Sequence, residues 1–348
     1  MVAGEFNVPD GAAPNGDVPV TPTESVAESS EQVITIPPIA GFWRRMAAFV
    51  LDVVFLGIVG QLLGLSLSSI WFQIGPYGRI VGQPIALLYF GIMDSGVAGG
   101  QTLGKRLLRV AVRNAEGQRI GVGRSMLRTL VWLVPVTLNG WALPAMSDPI
   151  VAGVASIVVF GVSGAVAMTL LFNRRTRQGI HDMLAGTYVL YLDGRTIELL
   201  PKPARLQWML SGAMLVLAVA LTGLGGFLAS RPGAPLQQVL ELQRTLKTDS
   251  RFIAVGVFDQ KFRVWGGDTT RTLGIQVWYK GVPTEAERTT VMNDVARKAV
   301  AVADVERYDL IRIEVMSAYD LGIATWHVSH FDSQSVSTWR ERIGEGST

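Results

Sequence analysis

The sequence predicts a polytopic α-helical membrane protein with about five transmembrane helices, followed by a soluble α+β domain. Three observations predict this class. Apolar residues make up 49% of the 348 residues and are concentrated in blocks. Several of these blocks approach the about 20 residues that an α-helix needs to cross a bilayer. After residue 230, charged and apolar residues mix in shorter runs, which is typical of a water-soluble domain.

The first 40 residues are predicted to form a disordered, acidic tail. They carry six acidic side chains and no lysine or arginine, and they are rich in proline, glycine, serine and threonine. A segment of this composition has too little apolar surface to build a core. It also lacks the basic start and the apolar centre of a secretory signal peptide.

Five apolar spans follow, and the third is the weakest. It is short and contains Pro135, Asn139 and Pro144, so a kinked helix and one half of a re-entrant hairpin both stay open. The spans lie at 42–65, 80–98, 129–146, 150–172 and 207–229. The expected domains are therefore the tail at 1–40, a membrane domain at 41–192, a basic linker at 193–206, an additional transmembrane helix at 207–230 and a C-terminal domain at 231–348.

Basic residues indicate the orientation of the spans. Of the 16 lysines and arginines in 41–230, 15 lie at the start of the first span or in the loops at 99–128 and 173–206. The positive-inside rule then puts the N-terminus and both loops in the cytoplasm and the C-terminal domain outside. The lipid bilayer is thus the first expected partner, and five basic residues are expected to contact its anionic headgroups. These are Lys105, Arg106, Arg174, Arg175 and Arg177.

Charged residues inside the spans are candidate functional residues. Arg45 and Asp52 are seven residues apart, close to two helical turns, so both lie on one face of the first span. A carboxylate at the depth of Asp52 is costly unless it is paired, protonated or in a wet cavity. A purely structural ion pair is the alternative to a functional site. Asp94, toward the cytoplasmic end of the second span, either shares a cation or proton site with Asp52 or caps its helix.

Composition excludes several classes of catalytic and metal site. The chain has no cysteine and three histidines, which excludes disulfides, zinc–thiolate sites and thiol catalysis. The stretch GGQTLGK at 99–105 matches part of a phosphate-binding P-loop, but Arg106 stands where that motif needs serine or threonine. The sequence shows no nucleophile–base pair. We therefore expect a protein that is not an enzyme, with no cofactor, no metal site and no nucleic-acid partner.

Shorter elements are predicted around and after the spans. The segment at 106–124 predicts a short β-hairpin that turns at 114–117, and a strand-like piece at 187–199 is a candidate to pair with it. In the C-terminal domain, helices are predicted at 235–248, 283–302 and 335–342, and strands at 271–280, 309–316 and 323–331. These elements favour helices packed on one antiparallel sheet.

Three motifs, taken in order, resemble the RDD family of bacterial membrane proteins over about residues 40–192. They are GFWRR at 41–45 with Ala48 and Asp52, GQTLGK at 100–105, and His181-Asp182 followed by Gly186-Thr187. The family is named for an arginine and two aspartates, which correspond here to Arg45, Asp52 and Asp182. The resemblance implies a multi-pass protein of the bacterial inner membrane, and the loop charges then make the C-terminal domain, which lies outside the family region, periplasmic. The resemblance also implies a transport role, since some members look like sodium–proton antiporters.

Two functions follow as hypotheses. In the first, the protein is a transporter that exchanges a monovalent cation for protons. Asp52 then carries the ion or proton, and Arg45 tunes the pKa of Asp52. Asp182 and His181 act at the cytoplasmic entrance of the transport pathway. One small bundle leaves little room for a pathway, so a homo-oligomer is a candidate assembly. In the second, the protein is a non-transporting envelope scaffold or sensor, whose outer domain binds a protein partner while the Arg45–Asp52 pair only holds the bundle.

Overall fold

A computed structural model of the protein describes residues 36–141, 145, 148–195, 197, 199–231, 235–263, 269–302 and 304–345. Most of the predicted tail lies outside the described residues. Residues 36–40 at its end are packed: the Ile36 amide donates to the carbonyl of Ile197 at 2.9 Å, and the Ala40 amide donates to that of Val189 at 2.9 Å. The ordered part of the protein therefore begins before the first helix, within the last residues of the predicted tail.

The membrane domain and the segment after it are mainly helical. The helices are α1 (Phe42–Ser66), α2 (Ser68–Ile74), α3 (Arg79–Met93), α4 (Leu103–Leu107), α5 (Val122–Leu138), α6 (Pro149–Ser156), α7 (Ser163–Phe172), α8 (Ile180–Leu184) and α9 (Arg205–Ala229). A π-helical turn at Ile157–Val162 joins α6 to α7, so the three form one continuous segment. Helices α1 and α9 each run for 25 residues because neither contains a proline.

Three of the five predicted spans are helices long and apolar enough to cross a membrane: Phe42–Ser66, Pro149–Phe172 and Arg205–Leu228. The other two helices are shorter, since α3 has 15 residues and α5 has 17, each with an internal proline. They reach about 22–26 Å, less than the about 30 Å of a hydrocarbon core. Five transmembrane helices are therefore not confirmed. Residues 142–144 and 146–147, at the end of the third predicted span, lie outside the described residues.

A two-stranded antiparallel sheet lies beside these helices. Its strands are β1 (Val110–Arg113) and β2 (Tyr188–Tyr191). The predicted pairing of these two pieces is confirmed. The predicted hairpin at 106–124 is wrong, because the chain turns at 114–117 and then enters α5 at Val122. Val110 and Val112 are instead buried with Val189, so the distant strand takes the place of a local return strand.

The C-terminal region is an α+β domain built on a mixed four-stranded sheet. Its elements are α10 (Pro235–Lys247), β3 (Phe252–Arg263), β4 (Thr269–Tyr279), α11 (Glu285–Val302), β5 (Leu310–Asp320), β6 (Thr325–Ser335) and α12 (Val336–Glu345). The strand order is β3-β4-β5-β6, with β4 and β5 parallel and the two outer pairs antiparallel. The predicted all-antiparallel sheet is wrong for its central pair. Helix α11 returns the chain to the end of the sheet at which β4 began, so β5 runs parallel to β4. Strand β3 had no counterpart among the predicted strands.

Helices from this region cover one face of the sheet. Leu242, Val295 and Trp339, from α10, α11 and α12, are buried in one cluster with strand residues such as Ile311. The Trp339 side chain is fully buried, and its Nε1 donates to the Ile311 carbonyl at 2.9 Å, which satisfies its polar group. The domain therefore has a hydrophobic core of its own.

The turn between β5 and β6 packs against the membrane helices. Leu321 is fully buried there, and a Cβ on Gly82 of α3 would lie 1.8 Å from the Leu321 carbonyl oxygen. Glycine is therefore needed at position 82 for this close approach. Arg79 Nε donates to Asp320 Oδ2 at 2.8 Å, and Arg79 Nη1 donates to the carbonyl of Thr137 at 2.7 Å. The C-terminal domain is thus held to the bundle by this hairpin as well as by α9.

Candidate functional site

Five charged side chains form a buried ion-pair network in the membrane domain. They come from α1, the end of α3, α4, α5 and α8, and are Arg45, Asp94, Lys105, Arg128 and Asp182. Arg45 Nη2 lies 2.5 Å from Asp182 Oδ2, and Arg128 Nε lies 2.7 Å from Asp182 Oδ1. Arg128 Nη1 lies 2.7 Å from Asp94 Oδ2, and Lys105 Nζ lies 2.5 Å from Asp94 Oδ1. Charges alternate along the network, so each carboxylate is shared by two cations.

Asp182 joins three helices through this network. It lies in the first turn of α8, where the Gly179 amide donates to its Oδ2 at 3.3 Å. Burial alone would raise the pKa of this carboxyl group, but the positive charges of Arg128 and Arg45 hold it well below its ordinary value. Asp182 is therefore ionised at neutral pH, and it ties α1 and α5 to α8.

His181 is buried next to Asp182. Its Nε2 lies 3.5 Å from Asp182 Oδ2, whereas its Nδ1 has no hydrogen-bond partner among the described residues. Burial lowers the pKa of His181 from 6.5 to about 4, although the Asp182 carboxylate acts in the opposite direction. The imidazole is therefore neutral at pH 7. The structure thus brings together Arg45, Asp182 and His181, three of the residues singled out in the sequence.

Asp52 is fully buried outside this network. Its Oδ1 accepts hydrogen bonds from the Tyr89 hydroxyl at 2.7 Å and from the Gly104 amide at 2.8 Å. Its Oδ2 accepts one from the Thr102 hydroxyl at 2.5 Å. Asp52 therefore receives two hydroxyl donors and one amide at the start of α4, and these stabilise the carboxylate without a cationic contact among the described residues.

The structural ion pair between Arg45 and Asp52, one of the two alternatives for these residues, is not formed. Both residues lie on α1, but Arg45 contacts Asp182, because α8 supplies a carboxylate while α4 supplies neutral donors to Asp52. Asp52 and Asp94 share no hydrogen-bond donor among the described residues, although both carboxylates act electrostatically on Lys105, so a shared site stays a prediction. Asp94 does end α3, as the alternative prediction held, but its side chain binds Lys105 and Arg128.

Lys105 was expected to contact headgroups at the membrane surface, but the structure places its side chain inside the domain. Its side chain is 10% exposed and is paired with Asp94. Burial lowers the pKa of Lys105, and the Asp94 carboxylate opposes that change. The other four residues expected to contact headgroups are exposed: Arg106, Arg174, Arg175 and Arg177. Their contact with lipid stays a prediction.

A cavity of about 190 Å³ lies beside the network. Four polar side chains line it: Arg45, Lys105, Arg128 and His181. Its other walls are apolar and include Trp132. Asp52 is not among the lining residues. Lys105 connects the cavity to the surroundings of Asp52, because it directly follows Gly104, whose amide donates a hydrogen bond to Asp52.

Arg128 is the central site residue that sequence reasoning missed. It was counted as one more basic residue of the loop at 99–128. In the structure α5 begins at Val122, and Ser125, Arg128, Thr129 and Leu133 are all buried on one face. Their spacing is that of one side of a helix, so this pattern could have marked Arg128 as an inward-facing charge. Thr102 lies in the GQTLGK motif, whereas Tyr89 carried no comparable signal.

Comparisons with known proteins agree with the motifs. Residues 39–186 match the RDD family. The uncharacterized protein YckC of Bacillus subtilis (strain 168) is 25% identical over 154 residues, which cover 44% of this chain and 84% of that protein. The uncharacterized protein YxaI of the same organism is 21% identical over 173 residues, which cover 44% of this chain and 97% of that protein. No solved structure matches the chain. Residues 39–186 of this chain are therefore a domain of the RDD family, and a β-rich region follows them.

Proposed function

We propose that the membrane domain is a transporter that exchanges a monovalent cation for protons, with Asp52 as the exchange site. The observation that carries this proposal is the set of contacts around Asp52. The carboxylate is fully buried on α1 and is surrounded by the hydroxyl oxygens of Tyr89 and Thr102. Both hydroxyl groups can rotate so that their lone pairs face a cation, and hard cations prefer such oxygen ligands.

Protonation offers the second state of the same site. A buried carboxylate without a cationic partner is costly in an apolar environment, and either a proton or a bound cation removes that cost. The two therefore compete for Asp52. The backbone connection from Gly104 to Lys105 supports coupling of this competition to the ion-pair network, since a shift of α4 moves both contacts together.

The test is proton flux in proteoliposomes under imposed sodium, lithium and potassium gradients. Asp52→Asn keeps the shape of the side chain but removes its charge, and we expect it to abolish cation-dependent flux. Asp148→Asn is the matched control, because Asp148 is an exposed N-cap of α6 and asparagine caps helices equally well. Cation-dependent flux that persists in Asp52→Asn at the wild-type rate contradicts the proposal.

The docking of the C-terminal domain favours a second function, that of an envelope scaffold or sensor. Arg79 binds Asp320, and the buried Leu321 lies against Gly82, so a partner that moves the sheet also moves the ends of α1 and α3. In this role the outer domain binds a protein and the membrane domain receives the signal. Cross-linking in cells tests it. Partner capture that persists in a chain ending after residue 231 counts against this function.

A further inference from the structure

The cavity beside the ion-pair network carries an excess of positive charge. Three of its lining residues are cations: Arg45, Lys105 and Arg128. The described salt bridges give these cations two carboxylates, Asp94 and Asp182, and neither lines the cavity. Asp52 is a third buried carboxylate, and its charge acts on Lys105, so the charges of the whole region balance. No carboxylate lines the cavity, however, and a wall that carries only cations favours an anion in the space in front of it.

His181 adds a neutral polar side chain to the cavity lining. Its side chain is 9% exposed. Its Nδ1 is buried beside Gly179 without a hydrogen-bond partner among the described residues, so another part of the ring faces the cavity.

The cavity continues into an apolar groove of about 310 Å³ along α7. Five residues line both spaces: Phe42, Met46, Trp132, Val166 and Leu170. Farther along the groove the lining residues Ser163, Ala167 and Leu171 are exposed on the outside of the helix bundle. The groove therefore runs from the cations to the surface of a helix that is apolar enough to cross a membrane.

We propose that the cavity and the groove together bind one anionic phospholipid. Its phosphate lies against Arg45, Lys105 and Arg128, and one acyl chain follows the groove past Val166. The cavity is several times larger than the about 30 Å³ that one water occupies, which leaves room for a phosphate group. Basic pockets between membrane helices are a known mode of headgroup recognition. This site does not depend on cation exchange at Asp52.

The apolar walls decide between a lipid and a small soluble anion. A free phosphate would satisfy the cations, but it would leave the Trp132 and Leu170 walls and the whole groove without contacts. A lipid covers both parts, since it has a charged end and an apolar end. The binding energy of the apolar part comes from its buried surface, which a soluble anion lacks.

Native mass spectrometry of the full-length protein in mild detergent tests the site. The protein is mixed with phosphatidylglycerol, with phosphatidylcholine of the same acyl chains, or with inorganic phosphate. We expect one phosphatidylglycerol per chain, retained at least about tenfold better than phosphatidylcholine, which corresponds to about 1.4 kcal/mol. Equal retention of the two lipids overturns the proposal. Inorganic phosphate that displaces phosphatidylglycerol at equal concentration shows a soluble-anion site and overturns it as well.

A pair of matched variants locates the lipid without disturbing the ion pairs. Val166→Trp fills the junction of cavity and groove, and we expect it to lower phosphatidylglycerol retention at least about tenfold. Val154→Trp is the control, because Val154 is 56% exposed on α6 and lines neither space. Arg45→Gln should lose the preference for the anionic lipid. Wild-type retention in a folded Val166→Trp protein overturns the proposal even where Arg45→Gln fails to fold.

Discussion

Asp182→Asn is expected to be the most damaging single change in the membrane domain. The carboxylate is fully buried and contacts Arg45 at 2.5 Å and Arg128 at 2.7 Å. Without it, Arg128 keeps Asp94, but Arg45, whose side chain is 11% exposed, keeps no other carboxylate among the described salt bridges. Removing one partner of a buried ion pair costs about 3–5 kcal/mol, because it strands the other charge.

Thermal unfolding in detergent measures this cost. At about 2–4 °C per kcal/mol, Asp182→Asn should lower Tm by roughly 6–20 °C. Asp193→Asn is the control, since its partner Arg195 is 75% exposed and a solvent-exposed ion pair adds little to stability. The loss should also be smaller in an Arg45→Gln background, where no arginine is stranded on α1. Equal Tm values for Asp182→Asn and Asp193→Asn would refute the reasoning.

Three further predictions concern other parts of the chain. The pKa of His181 falls from 6.5 to about 4 on folding, so the unfolded chain binds more protons than the folded protein between these pH values. The free energy of unfolding should therefore fall by up to about 3 kcal/mol as the pH drops from 6.5 to 4. Denaturant unfolding of His181→Gln should show a flatter pH profile. Gly82→Val should push Leu321 out of its place, which hydrogen exchange detects as lost protection of the β5–β6 turn, whereas Gly212→Val, at an open position, should not. Leu242→Ala, in the core of the C-terminal domain, should cost about 2–5 kcal/mol in denaturant unfolding, and a cost below about 1 kcal/mol would contradict the burial of this side chain.

Local patterns in the sequence predicted the elements well, because helices and strands depend on nearby residues. The C-terminal helices and three of its four strands lie close to their predicted positions. The parallel pairing of β4 and β5 was missed, although strand–helix–strand order is itself the signal of a crossover connection. The short helix α3 was overestimated, because apolar residues after Asp94 form a 3-10 turn instead of another helical turn.

Long-range partners were harder to predict than the residues themselves. The motifs singled out Arg45, Asp52 and Asp182: the two aspartates are fully buried, Arg45 is largely buried, and all three make polar contacts. Spacing along α1 could show only that Arg45 and Asp52 share a face, not which residue each contacts. The choice depends on where α4 and α8 pack, and Asp182 is 137 residues from Arg45 in the chain. That packing is a property of the tertiary fold.

The central claim is that a cation and a proton compete for Asp52, and proton release on cation binding tests it most directly. Sodium, lithium or potassium chloride is added to the detergent-solubilised protein in weak buffer, and the change in pH is recorded. The titration is repeated from neutral to acidic starting pH, and we predict that at least one of these cations releases protons from the wild type and from Asp148→Asn at an acidic starting pH, and none from Asp52→Asn. The same proton release from folded Asp52→Asn, or none from the wild type with any of the three cations, would contradict the claim.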